Sequence, residues 1–224
     1  MIDIMRPRYI TFDCYGTLTN FQMGPLAREV FADRIRDPDR MAAFCADFSA
    51  YRFDEVLGAW RPYEEVVKAS VERTCRRWNV PYTPDDGQRF YDAVPSWGPH
   101  PDVTEGLARI AHKIPLVIYS NAAEEQIMAN VEKLGVPFAH VFTAERFKTY
   151  KPRLAAFEAM IDTLDCAPTD LLHVSSSFRY DLFSAALMGI ENKAFVNRGH
   201  EPYTPGYGAT KIADIGALPA LVGL

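Results

Sequence analysis

The sequence predicts an α/β chain: a doubly wound parallel sheet whose first strand is set apart from the others by an inserted α-helical segment. Two observations carry this. Four short, nearly continuous apolar segments, "RYITFD" (8–13), "IPLVIYS" (114–120), "DLLHVSS" (170–176) and "NKAFVN" (192–197), read as strands covered on both faces. From residue 100 onward they alternate with amphipathic helical patterns, and that rhythm builds a parallel sheet.

Taken in order, the first strand ends at Asp13 and is followed by a turn with Gly16 and Thr17. Side chains alternate along a strand, so Phe12 and Cys14 share one face while Asp13 points to the other. Cys14 is then a core residue. Asp13 stands at the carboxyl end of a strand, where open α/β sheets hold their ligands; capping a turn is the plainer use of an Asp beside a Gly. Residues 25–80 break the rhythm with three candidate helices, "LAREVFADRIRD", "RMAAFCADFSAYRFDEVL" and "YEEVVKASVERTCRRWNV". The Pro and Gly of "PYTPDDG" (81–87) and "PSWGPHPD" (95–102) mark boundaries. Residues 1–20 and 98–224 are therefore expected to form the sheet domain, with 21–97 the helical insert.

Beyond the insert, "DVTEGLARIAHK" places Val103, Leu107 and Ile110 along one stripe, and "EEQIMANVEKLG" ends on Gly135, a helix C-cap. "AHVFTAE" (139–145) is a weaker fifth strand. "KPRLAAFEAMIDTL" has Pro152 in its first turn, where the missing N–H costs little. The tail "GHEPYTPGYGATKIAD" reads as loop, and Gly206 and Gly208 lack the strand-to-helix setting of a nucleotide fingerprint.

With 224 residues, 48% hydrophobic and 24% charged, the chain has the balance of a folded globular protein. A formal charge of -5 and no long basic run argue against nucleic acid, since neutralising phosphates needs clustered Lys and Arg. The densest basic patch, "RTCRRW" (73–78), reads as a solvated helix face. No stretch approaches the roughly 18 uninterrupted apolar residues of a membrane span. The start "MIDIMRPRYI" lacks the apolar block of a secretory signal, so a cytoplasmic protein is expected. Cys14, Cys45, Cys75 and Cys166 show no CxxC spacing, which removes a zinc ribbon and a thioredoxin motif.

Polar groups recur at the expected strand ends: Asp13; Ser120 and Asn121 in "YSN"; Lys151 in "TYKPR"; Ser175 to Ser177 and then Asp181 in "VSSSFRYD". Each alone has a plain structural use as cap, solvated cation or turn former. Together, at successive ends of one parallel sheet, they converge on one crevice.

"FDCYGTL", "YSN", "YKP" and "VSSSFRYD" in this order resemble the haloacid dehalogenase (HAD) superfamily over the whole chain. The resemblance implies a Rossmann-like HAD core with an α-helical cap domain, a nucleophile at Asp13, and Ser120, Lys151 and Asp181 at the matching motifs. Phosphatase members place a second carboxylate two residues after the nucleophile and another acid in the final loop. Here those positions are Tyr15 and Ser176. Mg²⁺ wants charged oxygen ligands, and Asp13 with Asp181 alone makes a poor cage. A carbon–halogen bond needs neither metal nor proton donor, because halide leaves as a stable anion. The sequence therefore resembles the metal-independent, cofactor-free 2-haloacid dehalogenase branch, with a short halogenated carboxylic acid as substrate.

In that reading Asp13 attacks, Lys151 orients the carboxylates and Asp181 activates water. Thr17, Ser120, Asn121, Ser175 and Ser177 supply hydrogen bonds to substrate, Asp13 or water. The family's early cap arginine falls near Phe44, with Arg40 and Arg52 out of register. A tyrosine expected after the lysine is Phe157, and the expected asparagine is Ser177, with one extra residue before Asp181. Arg179 is expected to replace the missing arginine, with Arg52 as the alternative. Two other readings stay open, a Mg-dependent phosphatase and a binding protein that has lost catalysis. The cap helices are open to lining the pocket, shielding it or forming a homodimer contact.

Overall fold

The computed structural model describes residues 5–224; residues 1–4, the beginning of the stretch read for a secretory signal, lie outside the described residues. The chain divides into two compact units. One runs through Asn20 and resumes at Gly98 to end at Leu224, and the other is Phe21–Trp97.

In the first unit, β1 (Tyr9–Phe12), β2 (Leu116–Ser120), β3 (His140–Thr143), β4 (Leu171–Ser175), β5 (Asn192–Val196) and β6 (Thr210–Ile212) pair in parallel in the order β3-β2-β1-β4-β5-β6. The winding direction reverses at β1, which puts a ligand crevice at the carboxyl end of that strand. Phe12 is in register with Ile118 and with Val174, so Asp13 stands level with Tyr119 and Ser175. The three-residue edge strand β6 corrects the loop expected for the tail. It is too short, and too interrupted by Lys211, to show a strand pattern.

The Phe21–Trp97 unit has four helices among the described residues: α1 (Met23–Val30), α2 (Pro38–Leu57), α3 (Tyr63–Trp78) and α4 (Pro84–Ala93). Asp37 caps α2 by accepting from the Arg40 amide at 2.7 Å, with Pro38 in the first turn. Helix α4 replaces the boundary loop expected at "PYTPDDG". Thr83 and Asp86 form a capping box there, and Pro84 starts the helix instead of breaking it. Asp86 also takes both ends of the Arg34 guanidinium, at 2.7 and 2.8 Å. Phe31, Phe44, Phe48 and Phe90 fill the centre of this unit. Arg73, from the basic patch read as solvated, pairs with Asp54 at 2.7 Å and with Glu55, and lies over the Tyr51 ring.

Helices α5 (Val103–Ala108), α6 (Glu124–Glu132), α7 (Ala144–Phe147), α8 (Leu154–Leu164), α9 (Phe183–Leu187) and α10 (Leu218–Leu221) complete the first unit. Residues of α5, α6 and α10 pack with Ile10, Phe12, Ile118 and Val174 on one sheet face. Residues of α8 and α9 pack with Val117, Tyr119 and Leu171 on the other. Cys14 is buried on the first of these faces, where burial pushes its thiol up to about 12 and leaves it inert as a nucleophile. Helix α8 begins at Leu154, so Pro152 stands just ahead of the helix, after a cis Lys151–Pro152 bond, and not within its first turn.

Candidate active site

Asp13, on the α8–α9 side of β1, is met from the next loop by Thr17. A tight turn brings them together: the Thr17, Leu18 and Thr19 amides all donate to the Cys14 carbonyl, and Gly16 sits at φ +93°, which favours glycine. Thr17 donates its hydroxyl to Asp13 Oδ2 at 2.6 Å and accepts from the Ser176 amide at 2.9 Å. Ser176 in turn donates to the Gly16 carbonyl at 3.0 Å, so the β1 and β4 loops are sewn together beneath the carboxylate.

Lys151 enters between the acids and is almost fully buried. An ammonium has three protons, and all three are used: on Asp13 Oδ1 at 2.9 Å, Asp181 Oδ1 at 2.6 Å and the Tyr119 carbonyl at 2.9 Å. Its backbone is held by Asn121, which donates to the Lys151 carbonyl and accepts from the Lys151 amide, both at 2.8 Å. The Asn121 side chain therefore positions Lys151.

Asp181 lies in a widened turn. Leu182 N–H bonds to Ser177 O at 3.1 Å and Phe183 N–H to Phe178 O, both five residues apart, so Phe178–Leu182 is one π-helical turn. Such a turn absorbs one extra residue without ending the helix. From this widened turn the Asp181 carboxylate reaches Lys151 at 2.6 Å. Asp181 Oδ1 also receives His173 Nε2 at 3.1 Å, while Oδ2 is buried without a partner among the described residues.

Electrostatics separate the two acids. Burial pushes Asp13 up, Lys151 pulls it down and Asp181 pushes it up again, for a net rise. Burial also pushes Asp181 up, but the Lys151 charge and the His173 hydrogen bond outweigh it, for a net fall. Burial disfavours the Lys151 charge, yet the two carboxylates hold its pKa above the ordinary lysine value.

The remaining expected residues are placed as follows. Ser120 Oγ is buried at the end of β2 with no partner among the described residues. Ser175 Oγ accepts from the Ser177 amide at 3.0 Å. Ser177 and Arg179 do not join the cluster. Ser177 caps the π-turn through the Tyr180 amide and donates to Glu201 at 2.7 Å, and Arg179 is a half-exposed cation paired with Glu201 at 2.9 Å. A carboxylate of the chain thus already pairs with the residue expected to hold the substrate anion.

Sequence reasoning missed His173, Thr11, Ser176 as a tether and the Tyr119 carbonyl. A histidine inside the apolar run "DLLHVSS" was the available signal, because a buried strand has no ordinary use for an imidazole.

The donor set does not suit magnesium. Asp13 and Asp181 both grip an ammonium, Ser176 is neutral, and the Tyr15 phenol at the second carboxylate position donates to Asn130 at 3.1 Å. Among the described residues, no group of three or more His, Cys, Asp or Glu is placed to hold a metal.

A parallel sheet reversing at its first strand, with an aspartate there and a buried lysine spanning two acids, is the arrangement that the resemblance to haloacid dehalogenase-type hydrolases implies. The family model "haloacid dehalogenase-like hydrolase" matches residues 7–189, and the chain belongs to that family. It is similar in fold to the L-2-haloacid dehalogenase of Xanthobacter autotrophicus with chloropropionic acid covalently bound, at 20% identity and TM-score 0.79 over 97% of this chain and 98% of that one. A dehalogenase solved with an intermediate complex matches at 18% identity and TM-score 0.80 over 100% of both chains. The magnesium-bound HAD hydrolase YfnB of Bacillus subtilis matches at 16% identity and TM-score 0.81 over 98% of this chain and 100% of that one. No curated protein matches the sequence. No helix among the described residues is long and apolar enough to cross a membrane.

Proposed function

We propose that the chain is a metal-independent hydrolytic dehalogenase of short 2-haloacids, acting in the cytoplasm. The observation that carries this reading is the Asp13–Lys151–Asp181 bridge combined with neutral residues at positions 15 and 176. Such a site offers a carboxylate nucleophile and a cation, but neither a metal cage nor the carboxylate two residues after the nucleophile that would protonate a leaving alkoxide. In the first step an Asp13 oxygen forms a bond to C2 while the carbon–halogen bond breaks and its electron pair leaves as halide. Lys151 and Thr17 fix the plane of the attacking carboxylate. In the second step water attacks the ester carbonyl of Asp13, Asp181 takes one water proton and returns it to the departing alkoxide oxygen, a 2-hydroxy acid leaves, and the other water proton is lost from the new Asp13 carboxyl to solvent to restore the carboxylate. The covalent chloropropionic acid named for the Xanthobacter neighbour is the kind of adduct this chemistry would form, and it supports the reading.

Chloride release from 2-chloropropanoate, unaffected by a chelator, is the expected result. Chelator-sensitive phosphate release from small phosphate esters, with no halide release, would replace this reading by the phosphatase one.

Two further results are expected. Asp13 reacts only as a carboxylate and its pKa is raised, so kcat/KM should fall with decreasing pH at a midpoint above that of an ordinary aspartate. A midpoint at or below the ordinary value would count against Asp13 as the limiting group.

The substrate anion also needs a cation, and we assign that role to Arg179, which would exchange its pairing with Glu201 for the substrate carboxylate. Arg179→Met should raise KM for 2-chloropropanoate several-fold, and unchanged steady-state kinetics would end the assignment.

A further inference from the structure

We infer that His173 is a positioning residue for Asp181, holding one carboxylate oxygen so that the other is the one presented to water; this rests on the dehalogenase reading. His173 is fully buried in β4, against the ring of Phe157 at 5.5 Å, in surroundings where an unpaired imidazole nitrogen would be costly. Both nitrogens are engaged, Nδ1 2.8 Å from Thr11 Oγ1 and Nε2 3.1 Å from Asp181 Oδ1. A core histidine needing only satisfaction could bond to backbone; this one spends a nitrogen on the carboxylate that already holds Lys151.

The tautomer follows from the chain of donors. Asp181 is held ionised by Lys151 and can only accept, so Nε2 carries a proton. With that proton on Nε2, the tautomer that the geometry matches accepts at Nδ1 from the Thr11 hydroxyl. The alternative direction for the Thr11 proton, toward the Leu172 carbonyl, spans 3.5 Å and is a poor hydrogen bond. Thr11 therefore sets His173, and His173 sets Asp181.

Two donors converge on Oδ1, from Lys151 and from His173, and they fix the carboxylate plane. Oδ2, buried and without a protein partner among the described residues, keeps its lone pairs for the proton of the hydrolytic water. In the second step that proton moves from water to Oδ2 and then to the alkoxide oxygen as the ester C–O bond breaks. His173 neither gains nor loses a proton. Its removal should therefore spare the displacement step, which uses Asp13, and slow ester hydrolysis, which uses Asp181.

The test measures both half-reactions with 2-chloropropanoate, using rapid quench and the mass of the Asp13 peptide. His173→Leu, which removes both hydrogen bonds, should slow ester hydrolysis by about tenfold or more with a much smaller effect on displacement, so that ester accumulates. His173→Gln, which retains a donor N–H, should restore most of the rate. Thr11→Val should give a milder slowing of the same step and carries the test if the Leu variant does not fold. ¹⁵N chemical shifts of the wild-type ring should show the proton on Nε2. Equal slowing of both steps, no rescue by Gln, or a proton on Nδ1 would overturn the assignment while leaving the dehalogenase reading intact. A wild-type protein that releases no halide would overturn both.

Discussion

Lys151→Met is expected to abolish turnover and to destabilise the fold by about 3–5 kcal/mol at neutral pH, the range for removing one partner of a buried ion pair. The ammonium satisfies Asp13, Asp181 and the Tyr119 carbonyl together, and methionine satisfies none of them. Two buried carboxylates would then face each other with no charge to offset them, so their folded-state pKa values would rise above the unfolded ones. A native state that binds protons more tightly gains stability as pH falls. The deficit should accordingly be largest near neutrality and shrink toward the carboxylate range. Denaturant unfolding at two pH values checks this, and a pH-independent loss below about 1 kcal/mol would contradict the bridge.

Asp13→Asn should lower halide release by at least about a thousandfold, because the amide removes the nucleophile with almost no change in volume. The same variant should melt at the wild-type temperature or above it. Burial disfavours the Asp13 charge, and Lys151 retains Asp181 as its counter-ion when that charge is removed. An active site of this kind holds charge at the expense of stability, so the two readouts should move in opposite directions. Activity above a few per cent of wild type would end the covalent mechanism.

The sheet was legible because its central strands are buried on both faces, and continuous apolar runs such as Tyr9–Phe12 and Leu116–Ser120 have few other uses. Helix α4 was not, because Pro84 and Gly87 read as punctuation until the Thr83–Asp86 capping box gives the proline a first-turn position. In the site, Asp13, Lys151 and Asp181 could be named because the motifs that carry them, "FDCYGTL", "YKP" and "VSSSFRYD", stand in the order the family resemblance implies. What spacing cannot convey is where a side chain's hydrogen bonds go. Ser177 and Arg179 look like site residues beside Asp181, yet Glu201, from a distant loop, binds both. His173 was hidden by the opposite effect, being surrounded in sequence by the apolar residues that bury it.

The position of β1 in the sheet also bears on how the chain comes to be folded as it is made. Among the described strands β1 leaves the ribosome before the others, yet both neighbours that cover its hydrogen-bonding edges, β2 and β4, belong to segments beginning at Leu116 and Leu171. The Phe21–Trp97 unit, with an aromatic centre of its own, is complete long before either arrives. At that stage a nascent chain holds every residue of the helical unit while the apolar "YITF" strand lacks the partners of both its edges, the condition that invites pairing with another chain. Closure of the sheet around β1 depends on contacts far apart in sequence, and the buried charges of the site come together only with it.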